Sequence, residues 1–184
     1  MFFVCLFDNI MTMNKAIRRM EKSDVNEVVE LEALSYGKHH WSKESFYNEL
    51  ENNLAHYYCV VDENKKILGY AGCWHIFEEA HITTLSVHPE ARRQGVAQSL
   101  LFAIIDDCYK AKIKYITLEV RESNVAAISL YEKNGFKSIG TRKGYYQDNN
   151  ENALIMFTEN IWYDKFKLRY NELRKEKSEA GQNT

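Results

Sequence analysis

The apolar positions of this chain change period along its length, and each change marks an element. Residues 16–20, Ala16-Ile17-Arg18-Arg19-Met20, suit a short strand. Val25, Val28, Val29 and the run Leu31 to Leu34 then recur at helical spacing, with Ser23 as the expected cap. The loop Ser35-Tyr36-Gly37-Lys38-His39-His40-Trp41 is rich in groups able to touch a ligand. Ser42 is expected to cap a second helix carrying Phe46, Tyr47 and Leu50. Strands are predicted at His56–Val61, Lys66–Ile76 and His81–Val87. The first two are joined by the polar turn Asp62-Glu63-Asn64-Lys65, which implies an antiparallel meander.

Past Gly95 the apolar residues Val96, Ala97, Leu100, Leu101, Ile104, Ile105 and Cys108 line one face of a helix ending near Lys112. Tyr115 to Arg121 alternates cleanly, with Ile116, Leu118 and Val120 on one face and Thr117 and Glu119 on the other. A short helix follows over Ala126 to Asn134, with Ser123 or Asn124 at its start and Gly135 at its C′ position. Phe136–Arg142 and Ala153–Phe157 form a last pair of strands, joined through Tyr145-Tyr146 and the polar run to Glu151. Beyond Asn160, the residues Trp162, Phe166, Tyr170 and Leu173 make one helical stripe, suited to a helix that docks on the domain or binds a partner. Fraying is expected from Lys175. The order of elements predicts a mixed α/β fold with a central, largely antiparallel sheet flanked by helices. The expected divisions are an N-terminal extension over residues 1–12, one domain over 13–160, and a C-terminal helix and tail over 161–184.

Composition narrows the possibilities. The chain has 184 residues, a formal charge of −2, 12 Tyr, 9 Phe, 3 Trp and a single Pro, so a folded domain is expected and no nucleic-acid signature is present. None of Cys5, Cys59, Cys73 and Cys108 stand at C-x-x-C spacing; they read as reduced, buried thiols of a cytoplasmic protein. The opening Met1-Phe2-Phe3-Val4-Cys5-Leu6-Phe7 is too short to span a membrane and lacks the layout of a signal peptide, and Met11 and Met13 are alternative starts. The 6 His lack the H-E-x-x-H or paired Cys/His spacing of a zinc site, so no metal is expected. No G-x-S-x-G is present and no cysteine has an obvious His partner, which argues against an acyl-enzyme route.

The stretch from Leu85 to Leu101 carries the chemistry. It runs from a strand, through a turn at Pro89 and the basic loop Arg92-Arg93-Gln94-Gly95, into a helix. Free N–H groups at that helix start, with the positive end of its dipole, suit an anion, and Gly95 allows close approach of a ligand to the backbone. Taken alone, the loop reads equally well as an ordinary helix start with solvated arginines.

Two blocks together decide it. Arg92-x-x-Gly95-x-Ala97 matches the Q/R-x-x-G-x-G/A pyrophosphate loop of the GCN5-related N-acetyltransferases, with Ala for the final Gly. Leu118-Glu119-Val120-Arg121-x-x-Asn124-x-x-Ala127-x-x-Leu130-Tyr131-x-x-x-Gly135-Phe136 matches the second block of that family, in the right order and spacing. On these residues the chain is identified as a member of the family, over about Ala16 to Phe157. The resemblance implies acetyl-coenzyme A as co-substrate, its pyrophosphate on the N–H groups of Gln94, Gly95, Val96 and Ala97 with Arg92 or Arg93 as charged partner. It also implies backbone contacts from Leu85, Ser86 and Val87 to the pantetheine arm, Glu119 as general base and Tyr131 as general acid. Asn124 is a plain helix cap, a coenzyme contact, or both.

Within the family, Arg142-x-x-Tyr145-Tyr146 and Glu151-x-Ala153-Leu154-Ile155-Met156 resemble the branch that acetylates the N-terminal alanine of ribosomal proteins. That implies the N-terminus of a ribosomal or other protein as partner, with Trp41, Glu79, Tyr145 and Tyr146 on the acceptor side. Glu78, Glu79, Asp148 and Glu151 would form an acidic rim for a basic peptide. Two departures fall on that side: Glu151-Asn152-Ala153 replaces Glu-Asp-Ala, and His40-Trp41 replaces Pro-Trp. Acetyl transfer to a small amine or a lysine side chain, and a non-catalytic acyl-coenzyme-A-binding module, are the rival readings.

Overall fold

The computed structural model describes residues 15–37 and 40–182, so the expected extension over 1–12, Cys5 and the alternative starts lie outside the described residues. Seven strands, β1 (Lys15–Arg19), β2 (Ala55–Asp62), β3 (Ile67–Ile76), β4 (Glu79–Val87), β5 (Tyr115–Arg121), β6 (Phe136–Tyr146) and β7 (Glu151–Thr158), form one sheet in the order β1-β2-β3-β4-β5-β7-β6. Around it lie α1 (Val25–Tyr36), α2 (Lys43–Glu51), α3 (Val96–Lys110), α4 (Val125–Lys133) and α5 (Asp164–Gln182). The mixed α/β, largely antiparallel architecture is as the patterning predicts.

Alternation along β2 distributes the core between the two faces. Tyr58 and Val60 join the cluster beneath α3, with Leu100, Leu101, Ile104 and Ile105, whereas Tyr57, Cys59 and Val61 face Val25, Val28 and Leu31 of α1 and Phe46 of α2. Each fully buried aliphatic side chain of this kind contributes roughly 1.5–3 kcal/mol. Cys59, Cys73 and Cys108 are buried free thiols, and burial pushes all three above the usual thiol range, so they stay protonated. No described helix is long and apolar enough to cross a membrane.

Two features of β4 open the functional cleft. It runs parallel to β5 through only four pairs, Glu79↔Tyr115 to Ile82↔Leu118, and is antiparallel to β3. It also holds an extra residue, Thr83, since Gly72 pairs with Thr84 but Cys73 with Ile82. Such a bulge reverses the alternation. Ala80 and Ile82 therefore lie in the α3 core, while Thr84 turns to the α1 face, 3.2 Å from the Tyr70 hydroxyl. Beyond Ile82, β4 stays with β3 and β5 follows β7, and a gap forms between them.

Several expectations are corrected. Ser23 does not cap α1: it lies inside a 3₁₀ turn, Lys22–Asp24, that leads into the helix and is closed by a reciprocal capping box of Glu21 and Asp24, and two Arg18 nitrogens grip Asp24 at 2.6 and 2.8 Å. Leu34 is 60% exposed, and the fourth buried position of α1 is Glu32. Ser35 and Tyr36 complete α1 rather than open a loop, Gly37 ends the helix at φ 58°, and Lys38 and His39 fall outside the described residues. Ser42 does cap α2, accepting the Ser45 N–H at 3.1 Å. Tyr145 and Tyr146 belong to β6, not to a loop. That strand is at the sheet edge, largely exposed and twice shifted in register, so its apolar alternation is weak. The stripe on α5 docks on the domain, with Phe166, Tyr170 and Leu173 buried, although Trp162 precedes the helix and donates to the Ile113 carbonyl at 2.7 Å. The helix continues to Gln182 instead of fraying at Lys175, tied by Glu176 to Lys133 at 3.3 Å and by Lys177 to α3.

Candidate active site

The gap between β4 and β5 widens into a cleft of about 830 Å³, within the range of small-molecule sites. One end is the anion loop. Pro89–Ala91 makes a single 3₁₀ turn, and the backbone then takes left-handed conformations at Arg93 (φ 62°) and Gly95 (φ 75°) before α3 begins. Gly95 is the N-cap of α3 and supplies no side-chain acceptor to the helix's first N–H groups. Gly69 on β3 lets that helix start sit close: a Cβ there would stand 2.8 Å from the Ser86 carbonyl oxygen and from Val96 Cγ1. Leu85, Ser86, Val87, Arg92, Arg93, Gly95, Val96, Ala97 and Asn124 all line the cleft. Gln94 is not among the lining residues; its exposed side chain takes Lys15 Nζ at 2.7 Å and donates to the Glu90 carbonyl at 2.7 Å. Asn124 caps α4, accepting the Ala127 N–H at 3.1 Å while also facing the cleft. The Ser86 hydroxyl oxygen is buried on β4, with the Tyr36 phenol as its neighbour.

Glu119 stands at the middle of the cleft wall, its side chain 8% exposed. Its Oε1 lies 3.1 Å from the Arg142 guanidinium and its Oε2 3.1 Å from His81 Nε2. Tyr131, on α4, also lines the cleft, packed 5.5 Å from the Phe136 ring, and burial raises its phenol well above the ordinary value. It is therefore protonated at neutral pH, as a proton donor must be.

The outer rim is aromatic, with one arginine set between two carboxylates. Arg121 stacks 3.8 Å over the Tyr146 ring, and Tyr145 meets Tyr146 edge-on at 5.1 Å. Asp148 grips Arg121 at 2.9 and 3.0 Å, and Glu151 does so at 3.1 Å. The Ser123 hydroxyl and N–H, then Asn149 and Arg121, hold the Glu151 carboxylate down to about 2. Trp41 closes the opposite side, tilted against Phe46 at 5.6 Å.

The expected acidic rim does not form. Asp148 and Glu151 are engaged by Arg121, and Glu78 pairs with Lys114 at 2.6 Å. Glu79 lies outside the cleft, in a shallow depression of about 290 Å³ shared with Trp74, Ile76, His81 and Thr117. Conversely, the structure gives roles at the site to residues that the sequence left without one. Tyr36, the last residue of α1, lines the cleft near Ser86 and Thr84, its phenol pushed up by burial. Beneath it Glu32 accepts a short hydrogen bond from Tyr70, and burial raises its carboxyl above the usual range. His81 and Arg142 are the partners of Glu119. A helical pattern with one acidic residue among apolar positions is the only signal that Glu32 leaves in the sequence.

Away from the cleft, His56, His75 and Asp107 bring three donor atoms within 4.8 Å, a grouping that sequence spacing did not reveal. The two rings stack at 3.8 Å, and Arg19 bonds Asp107 at 2.9 Å and approaches His56 Nδ1 at 3.2 Å. His56 Nδ1 and the Arg19 guanidinium engage the two oxygens of Asp107, at 2.6 and 2.9 Å. The group is an ion network closing the end of α3 on β2 and β3.

Comparison with known proteins agrees with this geometry. Residues 13–136 match the model of the acetyltransferase (GNAT) family. A protein of Bacillus subtilis (strain 168) named "Putative [ribosomal protein bS18]-alanine N-acetyltransferase" is 38% identical over 147 residues, 80% of this chain and 97% of that protein. The [ribosomal protein bS18]-alanine N-acetyltransferase of Escherichia coli (strain K12) is 34% identical over 118 residues, 63% of this chain and 78% of that protein. The crystal structure of the Escherichia coli ribosomal-protein-S18-alanine N-acetyltransferase superposes with a TM-score of 0.72 at 30% identity, covering 79% of this chain and 94% of that one. The chain belongs to the acetyltransferase (GNAT) family and is an acetyl-coenzyme-A-dependent acyltransferase.

Proposed function

We propose that this enzyme acetylates the α-amino group of a protein N-terminus, the N-terminal alanine of a small-subunit ribosomal protein being its acceptor, by direct transfer in a ternary complex in the cytoplasm. The observation that carries this reading is Glu119, a largely buried carboxylate fixed by two side chains in a cleft that runs from the anion loop to an aromatic rim. The names of the similar ribosomal-protein acetyltransferases support the choice of acceptor.

The donor fits the cleft on structural grounds. The first N–H groups of α3 have no side-chain cap, Arg92 and Arg93 stand beside them, and the buried Ser86 hydroxyl offers a polar group on β4. Bound acetyl-coenzyme A supplies the activated thioester that an amine attacks. Leu85 and Val87 flank Ser86 on the stretch of β4 that has left β5, where backbone groups are available to the pantetheine amides.

On the acceptor side, an α-amine with a pKa near 8 is roughly one-tenth neutral at pH 7, so a modest base suffices. Glu119 takes the amine proton directly or through water, and His81 and Arg142 hold its two oxygens in place. Tyr131 gives its proton to the departing thiolate from the other side of the cleft. Lys114 and Arg121 offset two of the three acids Glu78, Asp148 and Glu151, so the long-range pull of the rim on a basic peptide is small. Selection falls to Trp41, Tyr36, Tyr145 and Tyr146, which suit an extended peptide backbone with a small first side chain. The direct test is initial-rate kinetics on peptides beginning with Ala against spermidine and Nα-blocked lysine peptides. The proposal expects kcat/KM to be about tenfold or more higher for the free Ala terminus. A reversed order assigns the enzyme to small amines or lysine side chains.

A further inference from the structure

Helix α5 lies beyond the residues matched by the family model, yet it reaches the anion loop. Phe166, Tyr170 and Leu173 dock it. Tyr170 and Arg174 bind opposite oxygens of Asp106 on α3, at 2.6 and 2.5 Å, which fixes the helix axially. One turn past Leu173, Lys177 extends across α3 and donates to the Gly95 carbonyl at 2.8 Å and to the Ser99 hydroxyl. Its Cε and Nζ stand 3.7 Å from the point a Gly95 side chain would occupy, beside the first turn of α3.

This is an unfavourable place for an ammonium group unless an anion joins it. The N-terminus of a helix carries partial positive charge. Lys15 approaches from β1, bonded to Gln94, and Arg174 stands one turn back on α5. Lys177 has no carboxylate within ion-pair distance among the described residues; its hydrogen-bond partners are a carbonyl and a hydroxyl, and its ammonium lies 5.8 Å from the Phe102 ring. Burial, then Lys15 and Arg174, push its pKa down to about 8. Lys15 and Lys177 thus reach the loop from two sides and are bonded there to neutral acceptors, while Arg174 is matched by Asp106.

We propose that Lys177 is a phosphate ligand for the coenzyme, so that α5 forms an outer wall of the donor site. This rests on the reading of Arg92–Ala97 as the phosphate loop. The side chain swings from the Gly95 carbonyl onto a phosphate oxygen, gaining a charge-assisted bond. Binding then raises its pKa, so just above pH 8 coenzyme binding takes up a fraction of a proton.

The test is calorimetric titration of the full chain, as wild type, Lys177→Met and Lys177→Arg, with coenzyme A and dephospho-coenzyme A. Lys177→Met is expected to weaken coenzyme A binding roughly tenfold or more, with kcat at saturation within about twofold of wild type, and Lys177→Arg to restore most of the loss. Equal losses with both ligands assign the contact to the pyrophosphate; a loss confined to coenzyme A assigns it to the 3′-phosphate. In wild type, titrations at pH 8.5 in buffers of different ionisation heat should show proton uptake, a readout independent of any variant's folding. Wild-type-like affinity in Lys177→Met, or absence of proton uptake, overturns the inference. Failure of wild type to bind coenzyme A would instead overturn the donor-site reading beneath it.

Discussion

Arg142 on β6 reaches over an intervening strand to place its guanidinium 3.1 Å from Glu119 Oε1 on β5. The strand between them is β7, whose Ile155 pairs with Glu119 on one side and Gly140 on the other. The carboxylate is thus held from both directions in the sheet, by Arg142 from the β6 edge and by His81 from β4. A base fixed at both oxygens keeps one orientation toward the acceptor, which is the role expected of groups around a general base.

Replacing Glu119 by Gln keeps the shape and removes the base. The expected result is a fall in kcat of about 10²-fold or more at pH 7, with KM for acetyl-coenzyme A within twofold of wild type. Arg142→Ala should lower kcat by roughly tenfold while leaving donor binding intact, because it loosens the carboxylate without removing it. Steady-state kinetics at saturating peptide distinguishes the two; unchanged turnover in Glu119→Gln would remove this residue from the mechanism.

Tyr131→Phe deletes one hydroxyl and keeps the ring against Phe136. Turnover should fall about 10- to 100-fold, while the urea midpoint shifts little because the buried apolar area is preserved. A variant that unfolds readily but turns over normally once folded would mark Tyr131 as a packing residue only.

Two glycines should fail for different reasons. Gly69→Ala forces a methyl to 2.8 Å from a β4 carbonyl and from Val96, so either β4 or the start of α3 must shift. We expect a loss of about 1–3 kcal/mol in urea unfolding together with weaker coenzyme binding. Gly95→Ala has room, its nearest neighbour being Lys177 at 3.7 Å, but must hold φ near 75°. Its cost should be nearer 1 kcal/mol and come from backbone strain.

Much of this site was legible in the sequence, for physical reasons. Ile116, Leu118 and Val120 bury one face of β5, which forces Glu119 to the other. The anion loop needs a residue at φ 75°, and the glycine is visible as such. The bulge at Thr83 was not legible, because it is a relation between two strands rather than a property of one. Glu32 was masked by the apolar residues around it on α1, and the partners that explain its burial, the Tyr70 hydroxyl and the Trp41 backbone, come from distant parts of the fold. The pairing of the rim acids was not legible either, since local composition shows charge but not the partner: Arg121, Asp148 and Glu151 meet only through the β6–β7 hairpin.

His75 makes stability depend on acid. Burial, reinforced by the charge of neighbouring His56, pushes its imidazole down to about 4, whereas an unfolded histidine titrates near 6.5. The unfolded chain therefore binds the proton first. Its contribution is fully present above pH 6.5 and is lost as pH falls from 6.5 toward 4, by at most about 3 kcal/mol. Urea unfolding across that window should show a steep decline in wild type and a shallower one in His75→Gln. Parallel slopes would assign the acid sensitivity elsewhere.

The central claim is that the cleft delivers acetyl to an α-nitrogen, and fragment-ion mass spectrometry of one peptide tests it most directly. The peptide begins with a free Ala and carries an internal Lys; it is incubated with enzyme and acetyl-coenzyme A at pH 7. The account predicts a single acetyl group on the alanine nitrogen, lost in parallel with turnover in Glu119→Gln. Acetyl on the lysine ε-nitrogen, or no product while coenzyme A still binds, would contradict it.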